Sequence, residues 1–268
     1  MATEAVIKKL EYLQRCLREG PLTGSDDADT QKLLEFLSSE MLQTPDEERA
    51  LSSHMIRFME TFLRLRGQPQ FSRTAQIAEV GHLSLLARFL ANDGYKVRPC
   101  MGDFRYSLNM QAGTADILLA LEVFEHVKDQ DSIDISDIDI FNFSGINRFL
   151  QECRRLLRPD GRLVITTPNA CSLRSLVNLV NHQNPATFYP HVKEYAPQDV
   201  VNLCARSGLK LVHFETFYAY YYLSHDRQKI LENYIIKPGF SPEHRGDCSF
   251  FIFCRDDAFI PELASTRG

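Results

Sequence analysis

Short apolar runs alternate with amphipathic segments from about residue 75 onward, and this alternation restricts the fold of the chain most strongly. The apolar runs predict strands at 76–80, 95–100, 116–120, 162–166, 209–217 and 249–254. The amphipathic segments predict helices at 83–93, 145–157 and 197–207, each followed within a few residues by a glycine. Strands that alternate with helices are typical of βαβ units, so the sequence predicts an α/β fold with a mostly parallel sheet.

Residues 1–70 have a different pattern and read as helical. Apolar residues from Ile7 to Leu17 recur at helical spacing, and a second helix is predicted at 45–65. We therefore predict a helical N-terminal extension at 1–70 and a main domain at 71–268. The extension is interpreted as a lid or a homodimerisation segment, or else as a packing layer for the main domain.

Charge and cysteine usage exclude several classes of protein. The formal net charge is -5 and the pI is about 5.9, so nucleic acid is not expected as the main partner. No apolar run approaches the roughly 18 residues of a membrane span, and the N-terminus lacks the apolar core of a secretory signal. The 7 cysteines are scattered without a CxxC pair, which predicts a reduced, cytoplasmic protein without disulfides.

Four segments resemble a known family when they are taken in order. Residues 115–127 (ADILLALEVFEHV) and 149–169 (FLQECRRLLRPDGRLVITTPN) resemble a strand, helix, turn and strand of the class I S-adenosylmethionine-dependent methyltransferases. Residues 191–195 (HVKEY) and 207–209 (SGL) resemble a later stretch of the same family. The resemblance covers about 75–255. It implies a Rossmann-like fold, with a mostly parallel seven-stranded sheet and a final antiparallel strand, and S-adenosylmethionine as the cofactor.

The resemblance also assigns cofactor-binding residues, which should lie beyond the carboxyl ends of the strands. The family's first loop has the form acid-x-Gly-x-Gly-x-Gly, in which Glu79 is the acid and Gly81 the first glycine. The later glycine positions hold Leu83 and Leu85, whose side chains are expected to narrow the pocket. The predicted cofactor-binding residues are Glu79, Gly81, His82, Asp103, Leu121 and Glu122.

A second departure from the family lies at the end of the second strand. The family usually has an acid there that binds the ribose hydroxyls, whereas this chain has none until Asp103. Asp103 is expected to contact the adenine amino group instead. Two interpretations follow: the cofactor binds in an adapted way, or its site has decayed and the fold serves as a binding or regulatory partner.

The predicted catalytic residues follow the strands at the acceptor side. His126 is the leading candidate for a base, because an imidazole titrates near neutral pH. The alternative is that His126 caps the following helix or packs against the next strand. His191, Glu194 and Tyr195 lie on the segment expected to cover the acceptor pocket, where they either act on the acceptor or form a clamp that orders the loop. Methyl transfer requires mainly alignment, and sometimes removal of a proton.

One cluster in the sequence has residue types that bind metals. Glu122, Glu125 and His126 form an ExxEH cluster, which in some quinone-type O-methyltransferases resembling this segment holds a divalent cation. We predict no metal site here.

The sequence therefore predicts a methyltransferase that acts at oxygen on a small-molecule or glycan-like acceptor. The glycan expectation rests only on resemblance to methyltransferases of bacterial surface-polysaccharide pathways. The alternative is a catalytically inactive protein of the same fold. An NAD-dependent enzyme is disfavoured, because the GxGxxG motif would need two further glycines after Gly81.

Overall fold

The structure, a computed structural model, describes residues 28–43, 48–129, 144–186, 188, 190–219 and 226–258. Its helices are α1 (Ala28–Gln43), α2 (Glu48–Arg66), α3 (Leu85–Asn92), α4 (Ser144–Leu156), α5 (Leu173–Val180), α6 (Pro197–Arg206) and α7 (Asp226–Leu231). Its strands are β1 (Gln76–Val80), β2 (Lys96–Cys100), β3 (Gly102–Asp103), β4 (Ser107–Leu108), β5 (Ala115–Leu121), β6 (Leu157–Pro168), β7 (Leu209–Phe217) and β8 (Cys248–Arg255). A 3-10 turn spans Phe124–His126, and a π-helical turn spans Glu232–Ile236. The helix predicted from Ile7 to Leu17 lies outside the described residues.

Six strands form the main sheet in the order β2-β1-β5-β6-β8-β7. Strands β2, β1, β5 and β6 are parallel, whereas β8 is antiparallel to both β6 and β7. The predicted α/β fold, a mostly parallel sheet with a final antiparallel strand, is confirmed. The main sheet has six strands rather than seven within the described part of the chain. Between β2 and β5 the chain forms the separate antiparallel hairpin β3-β4, because that short connection leaves no room for another strand with its crossover.

Apolar side chains cover both faces of the sheet, as a parallel sheet requires. Along β5, Ile117 and Leu119 belong to one hydrophobic cluster, while Leu118 and Ala120 belong to the other. This alternation follows from the extended backbone, in which successive side chains point to opposite faces. Helices α1, α2 and α3 contribute to the first cluster, and α4 and α6 contribute to the second.

The N-terminal helices share a core with the sheet. Met55, Met59 and Phe62 of α2 are buried in the same cluster as Ile77 of β1 and Phe250 of β8. Of the roles considered for the extension, this favours a packing layer for its described part. The lid, the homodimer and the domain boundary at residue 70 stay predictions.

Two further observations concern the class of protein. No helix in the described part of the chain is both long and apolar enough to cross a bilayer. The cysteines of the described residues are free thiols, and Cys100, Cys153, Cys204 and Cys248 are buried. A buried thiol packs as a small apolar side chain, so these residues serve the core.

Candidate functional site

The carboxyl ends of the parallel strands meet at one edge of the sheet, as predicted. Val80 pairs with Cys100 in the register of β1 and β2, and Leu121 pairs with Thr166 in the register of β5 and β6. The residues that follow these pairs therefore lie side by side. This edge, which we call the carboxyl edge, contains Gly81, Glu122 and the segment after Pro168.

The loop after β1 is built around a buried carboxyl group. Glu79 is 2% exposed, and its Oε2 accepts a hydrogen bond of 2.6 Å from the backbone N–H of Ser84. Ser84 also caps α3, because its hydroxyl accepts a hydrogen bond from the N–H of Ala87. The loop is thus held at its start by Glu79 and at its end by the first turn of α3.

Gly81 has the conformation that only glycine adopts readily. Its φ is 88°, and its N–H donates a 2.9 Å hydrogen bond to the carbonyl of Cys100. Among the described residues, a Cβ placed on Gly81 would meet only the ring of Phe104 within 4 Å, at 3.8 Å. The backbone at Gly81 is therefore bare, so that a ligand can approach it closely.

Burial changes the titration of Glu79. It raises the pKa of the carboxyl from 4.5 to about 7, and the hydrogen bonds from Ser84 and the nearby charge of Arg57 offset the effect only in part. The folded pKa lies above the unfolded one, so the folded state binds a proton that the unfolded chain releases. The resulting stabilisation is fully present below pH 4.5 and is lost as the pH rises through about 7.

We expect Glu79 to lower the free energy of unfolding by about 2 to 3 kcal/mol between pH 5 and pH 8. A Glu79→Gln variant should lack this part of the decline, because the amide carries no charge at either pH. Urea unfolding of both proteins at the two pH values measures the difference. The exposed Glu243 provides a matched Glu→Gln control, which should decline like the unmodified protein. Equal declines in the Glu79→Gln variant and the unmodified protein would contradict the assignment.

The end of β5 contains a residue under backbone strain. Glu122 has a φ of 55° although it is not glycine, and its N–H donates a 2.9 Å hydrogen bond to the carbonyl of Thr166. Strained residues persist only when their surroundings hold them, and they cluster at functional sites. Leu121, just before it, is buried. The positive φ of Glu122 then turns the chain at the carboxyl edge.

Two histidines from different loops meet beside this turn. The rings of His126 and His191 pack edge to face with centroids 4.8 Å apart. His191 Nδ1 lies 2.7 Å from Glu194 Oε1, and both side chains are almost fully buried. Three of the four predicted catalytic residues are therefore brought together.

Glu125 connects the two loops. Its backbone carbonyl accepts hydrogen bonds from the N–H groups of Val192 and Lys193, which fixes the second loop against the first. Its carboxyl group is buried and accepts a 2.9 Å hydrogen bond from the hydroxyl of Thr167. Burial, and then the neighbouring charge of Glu122, raise the pKa of the Glu125 carboxyl well above its usual range.

Residues 45–214, more than half of the chain, match a protein-family model described as a methyltransferase domain. The chain belongs to this family of methyltransferase domains. The resemblance noted in the sequence is thereby confirmed. A search of curated protein sequences found no match.

Solved structures of methyltransferases resemble the chain at low identity. An S-adenosylmethionine-dependent methyltransferase from Archaeoglobus fulgidus is 16% identical, with a TM-score of 0.49, over 77% of this chain and 99% of its own. Another, from Mesorhizobium loti, is 15% identical, with a TM-score of 0.42, over 72% of this chain and 97% of its own. A geranyl diphosphate methyltransferase in complex with S-adenosylmethionine is 12% identical, with a TM-score of 0.42, over 80% of this chain and 90% of its own.

The end of β2 in this methyltransferase departs from the family as the sequence indicated. Buried Cys100 ends the strand, and Asp103 lies beyond it on β3. The Asp103 carboxylate accepts hydrogen bonds from the N–H, Nε and Nη2 of Arg105, which lower its pKa. Arg105 binds both carboxylate oxygens of Asp103. A cofactor would therefore have to share those oxygens with Arg105. His82, on the loop after β1, is exposed.

The two leucines of the first loop have different positions. Leu85 is 6% exposed, begins α3 and packs in the same hydrophobic cluster as Ile77 and Leu121. The expectation that Leu85 narrows the pocket is therefore wrong, because its side chain belongs to the core. Leu83 is partly buried in the loop itself, so the expectation stays open for that residue.

Tyr195 is a core residue rather than an accessible base. It is 4% exposed, and its ring packs edge to face against Phe124 at 4.8 Å. Burial raises the pKa of its hydroxyl to about 12, so the group keeps its proton near neutral pH. Tyr195 forms a β-bridge with Asn169, which suits the clamp role that the sequence left open.

Sequence reasoning missed three residues of the site. Arg57 of α2 is buried, and its charge acts on both Glu79 and Glu125 across the carboxyl edge. Phe104 lies over Gly81. Asn169, which is fully buried, ties the end of β6 to the segment before β8. The only available signal was that Asn169 lies three residues after the strand predicted at 162–166.

Proposed function

We propose that this methyltransferase transfers the methyl group of S-adenosylmethionine to an oxygen atom of a small-molecule or glycan-like acceptor. The family match supports methyl transfer. The observation that carries the proposal is the buried His191–Glu194 pair next to His126, at the same edge as Gly81 and Glu122. A site for oxygen methylation needs both a cofactor cradle and a proton acceptor, and this edge supplies candidates for both.

The residues at the strand ends fit the cofactor. The bare backbone of Gly81 allows close approach, and Glu79 fixes the loop that carries it. Glu122, with its positive φ, turns the chain at the end of β5, which pairs with β1. We assign cofactor contacts to Glu79, Gly81, His82, Asp103, Leu121 and Glu122. When bound, the cofactor supplies a methyl group that its sulfonium already activates.

The chain's own contribution is to hold the acceptor and accept its proton. Glu194 binds Nδ1 of His191 and so orients the ring, which leaves Nε2 on the side of His126 and Glu125. A carboxylate that orients a histidine in this way is a recurrent arrangement for general-base catalysis. An acceptor hydroxyl beside Nε2 would pass its proton to the imidazole as the new O–CH₃ bond forms and the S–CH₃ bond to the sulfonium breaks. The side chain of His126, beside His191, is about half exposed, so an acceptor can reach it from solvent.

The alternative is an inactive protein of the same fold that binds a partner. One observation favours it: no carboxylate follows β2 before Asp103, and Asp103 is already bound to Arg105. The ribose hydroxyls would then lack the acceptor that the family usually provides. Cofactor affinity therefore distinguishes the two functions.

Calorimetric titration with S-adenosylmethionine and S-adenosylhomocysteine tests the proposal. We expect affinity in the micromolar range, and a loss of more than about tenfold in a Gly81→Val variant, whose side chain would strain the backbone and fill the cradle. A Leu83→Gly variant should bind at least as tightly as the unmodified protein. Gly67→Ala is the control, since its Cβ would make only an ordinary contact of 3.5 Å. The absence of both heat and thermal shift at millimolar cofactor would contradict the proposal and favour the inactive alternative.

A further inference from the structure

Three side chains capable of binding a metal converge beside the carboxyl edge. One ligand atom from each of Glu125, His126 and His191 lies within 4.8 Å of the others. Glu125 Oε1 is 3.9 Å from His126 Nε2 and 4.0 Å from His191 Nε2. A cation about 2 Å from each ligand atom holds such atoms roughly 3 to 4 Å apart. Small rotations of the side chains would therefore bring all three to bonding distance.

The central ligand atom of this cluster is Oε1 of Glu125. Glu125 Oε1 is buried and has no hydrogen-bond partner among the residues that the structure describes. The Glu125 side chain is 0% exposed, and its other oxygen already accepts the hydrogen bond from Thr167. A buried carboxyl oxygen left without a partner is destabilising. A cation between the two imidazoles would satisfy it.

The surrounding residues prepare the histidines for coordination. The bond between His191 Nδ1 and Glu194 Oε1 fixes the ring and leaves Nε2 as the ligand atom. Histidine ligands of metals usually have such a carboxylate on the opposite nitrogen. The His126 side chain is 46% exposed, so one side of the cluster stays open for a water molecule or an acceptor oxygen.

We propose that Glu125, His126 and His191 bind one divalent transition-metal cation, and that Zn²⁺ fits them best. Two imidazole nitrogens and one carboxylate oxygen, with an open fourth position, are a ligand set of catalytic zinc sites. The set differs from the ExxEH cluster considered from the sequence, because His191 takes the place of Glu122. It replaces the prediction that the chain has no metal site.

A consequence for catalysis rests on the function proposed above. The acceptor oxygen would bind the cation at its open fourth position, and the pKa of the acceptor hydroxyl would fall. His191 would then act as a metal ligand rather than as the base, and the cation would activate the acceptor hydroxyl. Binding of the metal itself does not depend on that function.

Metal binding is tested on the full chain after treatment with a chelator and without S-adenosylmethionine. We expect calorimetry to show one Zn²⁺ per chain, and Co²⁺ to give the visible absorption of a four-coordinate site. His191→Ala, His126→Ala and Glu125→Gln should each weaken binding by at least about 100-fold, and Glu194→Gln by about 10- to 100-fold. His126 is partly exposed, so its variant should keep the fold even if a buried substitution does not.

A histidine elsewhere provides the matched control. His213 pairs with Glu215 at 2.8 Å, as His191 pairs with Glu194, but belongs to no such cluster within the described residues. His213→Ala should therefore bind Zn²⁺ normally. Failure to bind one equivalent, unchanged binding in folded His126→Ala, or thiolate charge-transfer bands with Co²⁺ would overturn the proposal. The separate titration with S-adenosylmethionine identifies a failure of the proposed function.

Discussion

Replacing Asn169 with Asp is expected to destabilise the protein by about 4 kcal/mol at neutral pH. Asn169 is fully buried, and its Nδ2 donates hydrogen bonds of 2.9 and 2.8 Å to the carbonyls of His244 and Gly246. Its Oδ1 accepts a 2.9 Å hydrogen bond from the N–H of Cys171. In the variant, a carboxylate oxygen would face two carbonyl oxygens in a buried site. The side chain would then repel the groups that it now joins.

The loss should grow with pH. The repulsion raises the pKa of the new carboxyl in the folded state, so the variant retains more stability where the group is protonated and loses it as the pH rises. Urea unfolding at pH 5 and pH 8 measures this difference. Asn178→Asp is the control, because among the described residues the Asn178 side chain donates a single, exposed hydrogen bond, of 3.2 Å to the carbonyl of Asn184. A loss at Asn169 no larger than the loss at Asn178 would contradict the role assigned to its amide.

Replacing Gly246 with Ala should destabilise the protein by about 3 kcal/mol. A Cβ at this position would lie 2.5 Å from the carbonyl oxygen of Phe217 and 2.6 Å from its carbonyl carbon and its nitrogen. These are backbone atoms of β7, and Phe217 is held by its pairing with Cys248. Because no side-chain rotation relieves such a contact, the backbone of β7 or of the segment before β8 must shift.

The same substitution at Gly67 provides the comparison for Gly246. Its nearest neighbour would be the carbonyl oxygen of Arg64 at 3.5 Å, an ordinary contact. Gly67→Ala should therefore change the free energy of unfolding by less than about 0.5 kcal/mol. Thermal or urea unfolding of the two variants measures the contrast. Similar stability of the two would show that β7 and β8 adapt without cost.

Much of the fold could be predicted from the sequence because its signals are local. Strand β1 spans Gln76–Val80, which are the predicted residues, and helix α4 begins and ends one residue before its predicted bounds. Apolar residues in succession, and glycines after helices, act through neighbouring residues alone. The main sheet of the described residues has six strands, one fewer than the family resemblance implied, and the apolar runs of the sequence had likewise predicted six.

The candidate site was only partly predictable. His126 was predicted because it follows a predicted strand, and His191 and Glu194 because they lie on the segment expected to cover the acceptor pocket; the three do lie together. Burial could not be foreseen in the same way: Tyr195 lies in a loop and Leu85 at the start of a helix, yet both belong to the core. A residue in a loop has no periodic pattern that shows which way it faces.

The sequence by itself determined the order of strands and helices and the end of the sheet at which a ligand would bind. The tertiary structure alone decided that Glu125 lies between His126 and His191, and that the charge of Arg57 acts on the same edge. The physical reason is that strand formation depends on neighbouring residues. A cluster drawn from distant loops depends on the path of each loop, which packing and hydrogen bonds across the whole molecule fix.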